Sequence, residues 1–568
     1  MYVDAYTETD WDEILVVERD NSGKRREITY PKKLIFYYDD PKGKHISIFG
    51  TKVTQFKTTS QKAFQKELKL CGKRTYESSI NPIFRCLSEN YQGLPAPQLN
   101  VALFDIEVDM DPQRGYASPN DPFAAVTAIS VALAWENRVI TLALAPKTYK
   151  DESGKVVPLT KELAKAICDS FPNTYLCDSE EQLLEAFLEI IEDADVISGW
   201  NSTGFDIPYL VNRIELKLSK DHTRKMCLWN LTPRKRVYTK FGKEHFTYDL
   251  MGRIHMDYLD LYMKHSPQQL HSYRLDFVAQ IEVKAKKTPY EGSLYDLYHK
   301  DFRKFVEYNR QDVHLLVELD KKCKYIEVAN QLAHANCVLL PNTLGSVILI
   351  DQAIVNEAHR LGMVVPDRKR RDVSLNDDDV EDNDDMEHET VVGAYVANPK
   401  VGIHDWVGAC DINSLYPSVI RSFNMGPETI VAQLRPTLTN EYVKQATENK
   451  VSDVWAEIFG CLEYEEVINK TNVDLIVDFE NGDVKQMKAY EVYEWIFNAK
   501  PQLCITANGT IFSYEKMGVI PSLLEKWYSE RKDMQKKSKD LFKFYSNGLE
   551  IDRNLANELK NMLNEQLQ

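Results

Sequence analysis

Five side chains in three short segments have the types and spacing for metal-assisted hydrolysis. The first segment, LFDIEVD, holds Asp105 and Glu107. On a strand, residues two apart share a face, so both carboxylates point the same way. Leu103, Phe104, Ile106 and Val108 around them are apolar enough for a covered sheet. Two like charges side by side there need a cation to hold them. The second segment, ISGWNSTGFDIPYL, places Asp206 after a Gly- and Asn-rich turn and before Ile-Pro, where a helix should start. The third, VEYNRQDVHLL, carries Tyr308 and Asp312, which at i and i+4 share one face of a helix. Taken singly, these are a solvated strand end, a helix cap and a surface pair.

Together, and in this order, the set closely resembles the three motifs of DEDD-type 3′–5′ exonucleases in their tyrosine version. The resemblance implies an RNase H-like domain that hydrolyses 3′-terminal phosphodiesters and releases nucleoside monophosphates. Asp105, Glu107, Asp206 and Asp312 would then hold two divalent ions about 4 Å apart, one activating water and one stabilising the leaving oxygen. Hard oxygen ligands favour Mg²⁺, with Mn²⁺ as the alternative, over zinc. Tyr308 would orient the attacking water. Between the second and third motifs, residues 224–243 hold seven Lys or Arg, no acid, and interleaved aromatic residues. A hairpin built there would offer Arg234, Lys235 and Arg236 to DNA, or would be an ordinary solvated hairpin.

A second centre begins at CDINSLYPSVI, residues 410–420, where Asp411 follows the apolar run WVGAC, read as a strand. The string D-x-x-S-L-Y-P-S resembles the first palm motif of family B DNA polymerases. That resemblance makes Asp411 a catalytic metal ligand aided by the Ile412 carbonyl. It makes the amides near Ser414 and Leu415 triphosphate contacts, and Tyr416 the steric gate against a ribose 2′-hydroxyl. The basic helix expected over 526–545 resembles the family's first fingers helix, with Arg531 at the phosphate-binding position and Gln535 where the family has a second cation. The family's fingers motif K-x-x-x-N-S-x-Y-G and its second palm motif resembling D-T-D-S do not occur in the sequence. A site with Asp411 alone cannot organise two-metal nucleotidyl transfer. The order of N-terminal module, exonuclease, acidic linker, first palm motif and fingers start resembles the first two-thirds of a T-even-phage-like replicative polymerase, and the expectation is a natural split subunit of that group, completed by a C-terminal polypeptide. A truncated chain is the alternative explanation.

The elements that must position these residues are legible as well. VALFDIEV, VTAISVALAW and RVITLALA read as apolar strands, and EEQLLEAFLEIIEDA and RKFVEYNRQDVHLLVELDKKCK as helices. The expected architecture is multidomain, α/β and α+β. It comprises a small β-rich N-terminal domain (1–98, with a return segment near 333–372) and an exonuclease domain (99–332). An acidic linker (373–390), a partial ferredoxin-like palm (391–520) and the start of helical fingers (521–568) follow.

The linker explains an apparent conflict. The chain of 568 residues has a net charge of −16, whereas a binder of nucleic acid usually leans basic. Residues 377–389 alone carry nine acids and no base. Setting aside these nine and the five metal-binding carboxylates leaves −2, with basic stretches where DNA and dNTPs would lie. The expected partners are primer-template DNA, single-stranded 3′ ends, dNTPs and the second polypeptide, with any sliding clamp reached through it. The N-terminus lacks a signal-peptide pattern, no apolar run nears a membrane span, and the ten cysteines are scattered singly. A cytoplasmic protein, in the host cell if viral, is expected. A stand-alone exonuclease and a non-catalytic DNA-binding regulator are the alternatives.

Overall fold

The computed structural model describes residues 1–150, 155–240, 242–367, 398–436, 474–498, 500, 502–506 and 509–546. The acidic linker lies outside the described residues. Two compact units emerge: Met1–Phe36, Phe56–Gly72 and Ser78–Asn356 form the first, and Tyr37–Gln55, Lys73–Glu77 and the chain from Glu357 onward form the second.

The first unit is organised around a six-stranded mixed sheet. Its strands are β1 (Val101–Val108), β2 (Val126–Leu133), β3 (Arg138–Leu144), β4 (Thr174–Cys177), β5 (Val196–Ser198) and β6 (Ile254–His255), in the order β4-β3-β2-β1-β5-β6. β1, β2 and β3 form an antiparallel meander; β4 pairs in parallel with β3, β5 with β1, and β6 with β5. Helices α1 (Glu180–Ile190), α2 (Asp206–Lys217) and α3 (Phe302–Cys323) cover it.

The period of two along β1 sorts its side chains. Ala102, Phe104 and Ile106 enter a core with Leu183, Phe187, Ile207 and Leu210 of α1 and α2. Leu103, Asp105 and Glu107 face the other way, toward α3. There Phe302, Phe305 and Val306 pack on Ala128 and Ala143, whose small side chains let the helix approach the sheet closely. That approach carries the next turns of α3 over β1. Fully burying one such Phe contributes roughly 2–3 kcal/mol, so the helix is held by its apolar face rather than by its acids. The strands Tyr2–Tyr6, Glu13–Arg19 and Arg25–Pro31 make a separate antiparallel sheet in this unit, tied to the turn before β5 by the buried Arg19–Asp195 ion pair.

The second unit contains a five-stranded antiparallel sheet of Ile430–Pro436, Asp474–Phe479, Val484–Lys488, Leu503–Ile505 and Thr510–Ser513. Ala432, Leu434, Val477, Val492, Ile496 and Ile511 form its core. Helix α4 (Leu415–Ser422) packs beside the long helix α5 (Val519–Ser546) through an Arg421–Glu525 ion pair and the Arg421 guanidinium 4.3 Å over the Tyr528 ring. No helix among the described residues is long and apolar enough to cross a membrane.

One expectation fails here. The run WVGAC before Asp411 is not a strand: residues 401–413 pair with no strand, and Val401, Ile403 and Trp406 are almost fully exposed. A strand needs a neighbour for its amides and a cover for its apolar side chains, and no described segment supplies either. The basic stretch also differs in part. Residues 222–226 form a 3-10 turn, and the hairpin begins only at Arg234, pairing Arg234–Lys240 with Lys243–Asp249.

Candidate active site

The three sequence segments meet at one end of β1. Each of Asp105, Glu107 and Asp312 offers a carboxylate oxygen within 4.8 Å of the others. Asp105 and Glu107 arrive from one face of β1, and Asp312 from the buried face of α3. Asp206 stands beside them as the first residue of α2. β5 stops pairing with β1 at Ser198–Leu103, and beyond that point Asp206 comes next to β1, where the Ile106 amide favours its charged form.

The turn that delivers Asp206 is built for close approach. A Cβ on Gly199 would sit 2.9 Å from the Phe104 carbonyl oxygen, so only glycine lets this turn pass the strand. Asp257, buried, holds the next residues: one oxygen accepts the Asn201 and Leu259 amides at 2.9 and 3.0 Å, and the other accepts Thr203 at 2.9 Å.

Burial followed by mutual repulsion governs the electrostatics. Asp105 is pushed well above the carboxylate range by burial, then by Asp312, Glu107 and Asp206. Burial and Asp312 raise Glu107 to about 8, and burial and Asp257 raise Asp206 to about 7. Without a cation, Glu107 thus keeps its proton at neutral pH. Four ionised carboxylates here require cations.

One cation belongs to the chain itself and was missed in the sequence. Lys287 donates to Asp312 Oδ2 at 2.5 Å and to the Tyr308 hydroxyl at 3.2 Å. Burial would lower the lysine's pKa, but Asp312 and Asp105 outweigh it and raise it. Its only sequence signal is a lysine-rich run, KAKKTPY, twenty-one residues before Tyr308. A single ammonium leaves most of the negative charge uncompensated, and Asp312 Oδ1 is buried without a hydrogen-bond partner. Hard oxygen donors, excess negative charge and an orphaned carboxylate oxygen fit divalent ions. A cleft of about 940 Å³ opens beside this cluster, lined by Asp105, Tyr308 and Lys287 and walled by the aromatic side chains of Trp200, Tyr273 and Tyr290.

Among the described residues no second cluster of this kind forms. Asp411, Tyr416 and Arg531 are exposed, with Tyr416 in α4 and Arg531 in α5. Ser414 takes a left-handed φ of 53° immediately before α4, with Leu415 as the first helical residue, and Ile412 is exposed. Arg234, Lys235 and Arg236 lie exposed on the hairpin; Arg236 pairs with Asp249 at 2.8 Å, and Lys235 lies 4.1 Å over the Phe246 ring.

A strand-borne acidic pair completed by acids from two helices, beside an aromatic-walled cleft, defines a candidate metal-dependent nuclease. Residues 59–278 match the model for the exonuclease domain of DNA polymerase family B, and residues 342–543 match the model for DNA polymerase family B itself. The chain carries both regions and belongs to the family B DNA polymerases. It is 24% identical over 368 residues to the DNA-directed DNA polymerase of Escherichia phage RB69, covering 63% of this chain and 39% of that protein. The DNA-directed DNA polymerase of Enterobacteria phage T4 is 27% identical over 281 residues, 49% of this chain and 29% of its own. A DNA polymerase of Red sea bream iridovirus is 27% identical over 354 residues, 59% of this chain and 34% of its own. The chain thus spans between 29% and 39% of the length of these relatives.

Proposed function

We propose that this chain is the N-terminal, exonuclease-bearing part of a phage replicative DNA polymerase, working in the host cytoplasm. Its exonuclease site would remove 3′-terminal nucleotides from single-stranded DNA. The observation that carries this reading is the meeting of Asp105, Glu107 and Asp312 within 4.8 Å, beside a cleft that Asp105 lines.

In this reading Asp105, Glu107, Asp206 and Asp312 hold two Mg²⁺ ions, with Mn²⁺ able to replace them. Bound there, such ions supply a nucleophile at neutral pH and stabilise the leaving 3′ oxygen. The chain's own residues do the rest. The Tyr308 hydroxyl, held by Lys287, fixes the direction from which water approaches the phosphorus. Trp200, Tyr273 and Tyr290 give the terminal bases faces on which to stack, a sequence-tolerant contact suited to proofreading. The hairpin with Arg234, Lys235 and Arg236 would follow the DNA backbone. The domain limits 1–98, 99–332, 373–390, 391–520 and 521–568 belong to the same reading.

The polymerase half of the proposal is a palm completed by a second polypeptide. Asp411 and the Ile412 carbonyl would bind metal there, Ser414, Leu415 and Arg531 the triphosphate, and Tyr416 would exclude ribonucleotides. The exposure of Val401, Ile403 and Trp406, in the segment leading to Asp411, supports an apolar surface that such a partner would cover; a sliding clamp would also be reached through that partner.

The test is a 5′-labelled single strand incubated with purified chain and Mg²⁺. Stepwise shortening from the 3′ end with release of nucleoside monophosphates is expected; an intact strand after metal and pH screening would overturn the nuclease reading. For the second half, adding a polypeptide with the missing motifs should produce templated dNTP incorporation that Asp411→Ala abolishes. Equal incorporation by that variant would remove Asp411 from the polymerase site.

A further inference from the structure

Asn309 lies between the two α3 residues that the motif singles out, and it is fully buried. Its Nδ2 donates twice to one residue, to Asp105 Oδ2 at 2.9 Å and to the Asp105 main-chain oxygen at 3.3 Å. Its own Oδ1 is buried with no hydrogen-bond partner. Leaving a buried acceptor unmet is costly, so the gain must come from the nitrogen. Chemistry fixes the amide's orientation: turned over, Oδ1 would confront a carboxylate and a carbonyl, both acceptors.

Two hundred and four residues separate the partners, yet this link joins the two elements whose relative placement makes the site. β1 brings Asp105 and Glu107, while α3 brings Tyr308 and Asp312. Lys287 reaches Asp312 and Tyr308 but does not tie α3 to β1. Repulsion from Glu107, Asp206 and Asp312 acts on Asp105 to turn its carboxylate away. A donor set in the rigid middle of a helix resists that rotation.

We propose that Asn309 is a positioning residue of the metal centre, holding the Asp105 carboxylate toward Glu107 and Asp312 and locking α3 to β1. The inference rests on the nuclease reading above and assigns a role to a residue that touches neither substrate nor metal. Residues that orient a metal ligand in this way typically contribute about 10- to 100-fold to metal affinity.

The test substitutes Asn309→Leu, similar in size but without the donor, in the full chain. Mn²⁺ binding is followed by electron paramagnetic resonance of the free ion in the absence of DNA. We expect about 10- to 100-fold weaker Mn²⁺ binding. We also expect 3′ hydrolysis that recovers at high Mg²⁺, so that the apparent metal constant changes more than the limiting rate. Asn309→Ser, which keeps a shorter donor, should bind between wild type and Asn309→Leu. Wild-type affinity in Asn309→Leu would overturn the positioning role alone, whereas a wild-type chain that binds no Mn²⁺ would overturn the metal centre and this role with it. If Asn309→Leu fails to fold, Asn309→Ala carries the same expectation; failure of both to fold would overturn positioning in favour of a structural role.

Discussion

Lys287 places its ammonium 2.5 Å from Asp312 Oδ2, inside a cluster of acids that the sequence shows as acids alone. The carboxylate side chain is 3% exposed and the lysine 30%, so the pair is screened little by water. The lysine therefore serves as a resident counter-ion for part of the charge. It also aligns the Tyr308 hydroxyl, whose ring stands edge-on to Tyr290 at 5.2 Å.

Lys287→Met should loosen both groups. Removing one partner of a largely buried pair costs on the order of 3 kcal/mol, less whatever is regained when Asp312 takes up a proton. Urea unfolding in EDTA should show this loss, and added Mg²⁺ should offset much of it by returning positive charge. Hydrolysis of a 3′ end should slow about 10-fold or more as Tyr308 loses its fixed direction. A variant with wild-type stability in EDTA and wild-type rate would show that the pair does neither job.

Asp312→Ala should cost less stability than Lys287→Met. It strips Lys287 of its partner, but it also removes a repelling charge from Asp105 and Glu107, which remain beside the ammonium, so the urea midpoint in EDTA should fall only slightly. Hydrolysis should fall at least about 100-fold, because the ions lose a ligand that defines their place. A large drop in stability would instead make Asp312 a structural residue.

Metal removal and pH should be linked. Glu107 and Asp206 are raised to about 8 and about 7, above their unfolded values, so the folded chain keeps protons that the unfolded chain has released. Their contribution to stability is present at low pH and is lost as pH rises from about 4 to about 8. In EDTA the urea midpoint should therefore decline across that interval. With Mg²⁺ the decline should be reduced, and the stabilisation by metal should be largest at the high-pH end. An EDTA curve flat over this range would contradict the repulsion ascribed to the cluster.

Asp257→Asn should damage the site from behind. Both Asp257 oxygens accept amides, so an asparagine must point its NH₂ group at an N–H donor. The cost is about 1–3 kcal/mol in urea unfolding. Because the disturbed turn leads into Asp206, the Mn²⁺ affinity should also fall. Loss of stability with unchanged metal binding would separate Asp257 from the site.

The local chemistry of this protein was legible in its sequence because it depends on short-range periodicity. The alternation along β1 put Asp105 and Glu107 on one face, and the spacing of Tyr308 and Asp312 put them on one side of α3. The strands and helices at 101–108, 126–133, 138–144, 180–190 and 302–323 follow the apolar pattern for the same reason. What only the tertiary structure decided lies between distant residues. Lys287 on Asp312, Asn309 on Asp105 and Asp257 beneath the Asp206 turn join positions whose partners no local pattern announces. The segment before Asp411 shows the converse. Its apolar residues have strand character, but strand formation is a property of a pair, and with no neighbour among the described residues to accept its hydrogen bonds the run WVGAC stays irregular and exposed, Trp406 turning through a left-handed φ of 60°.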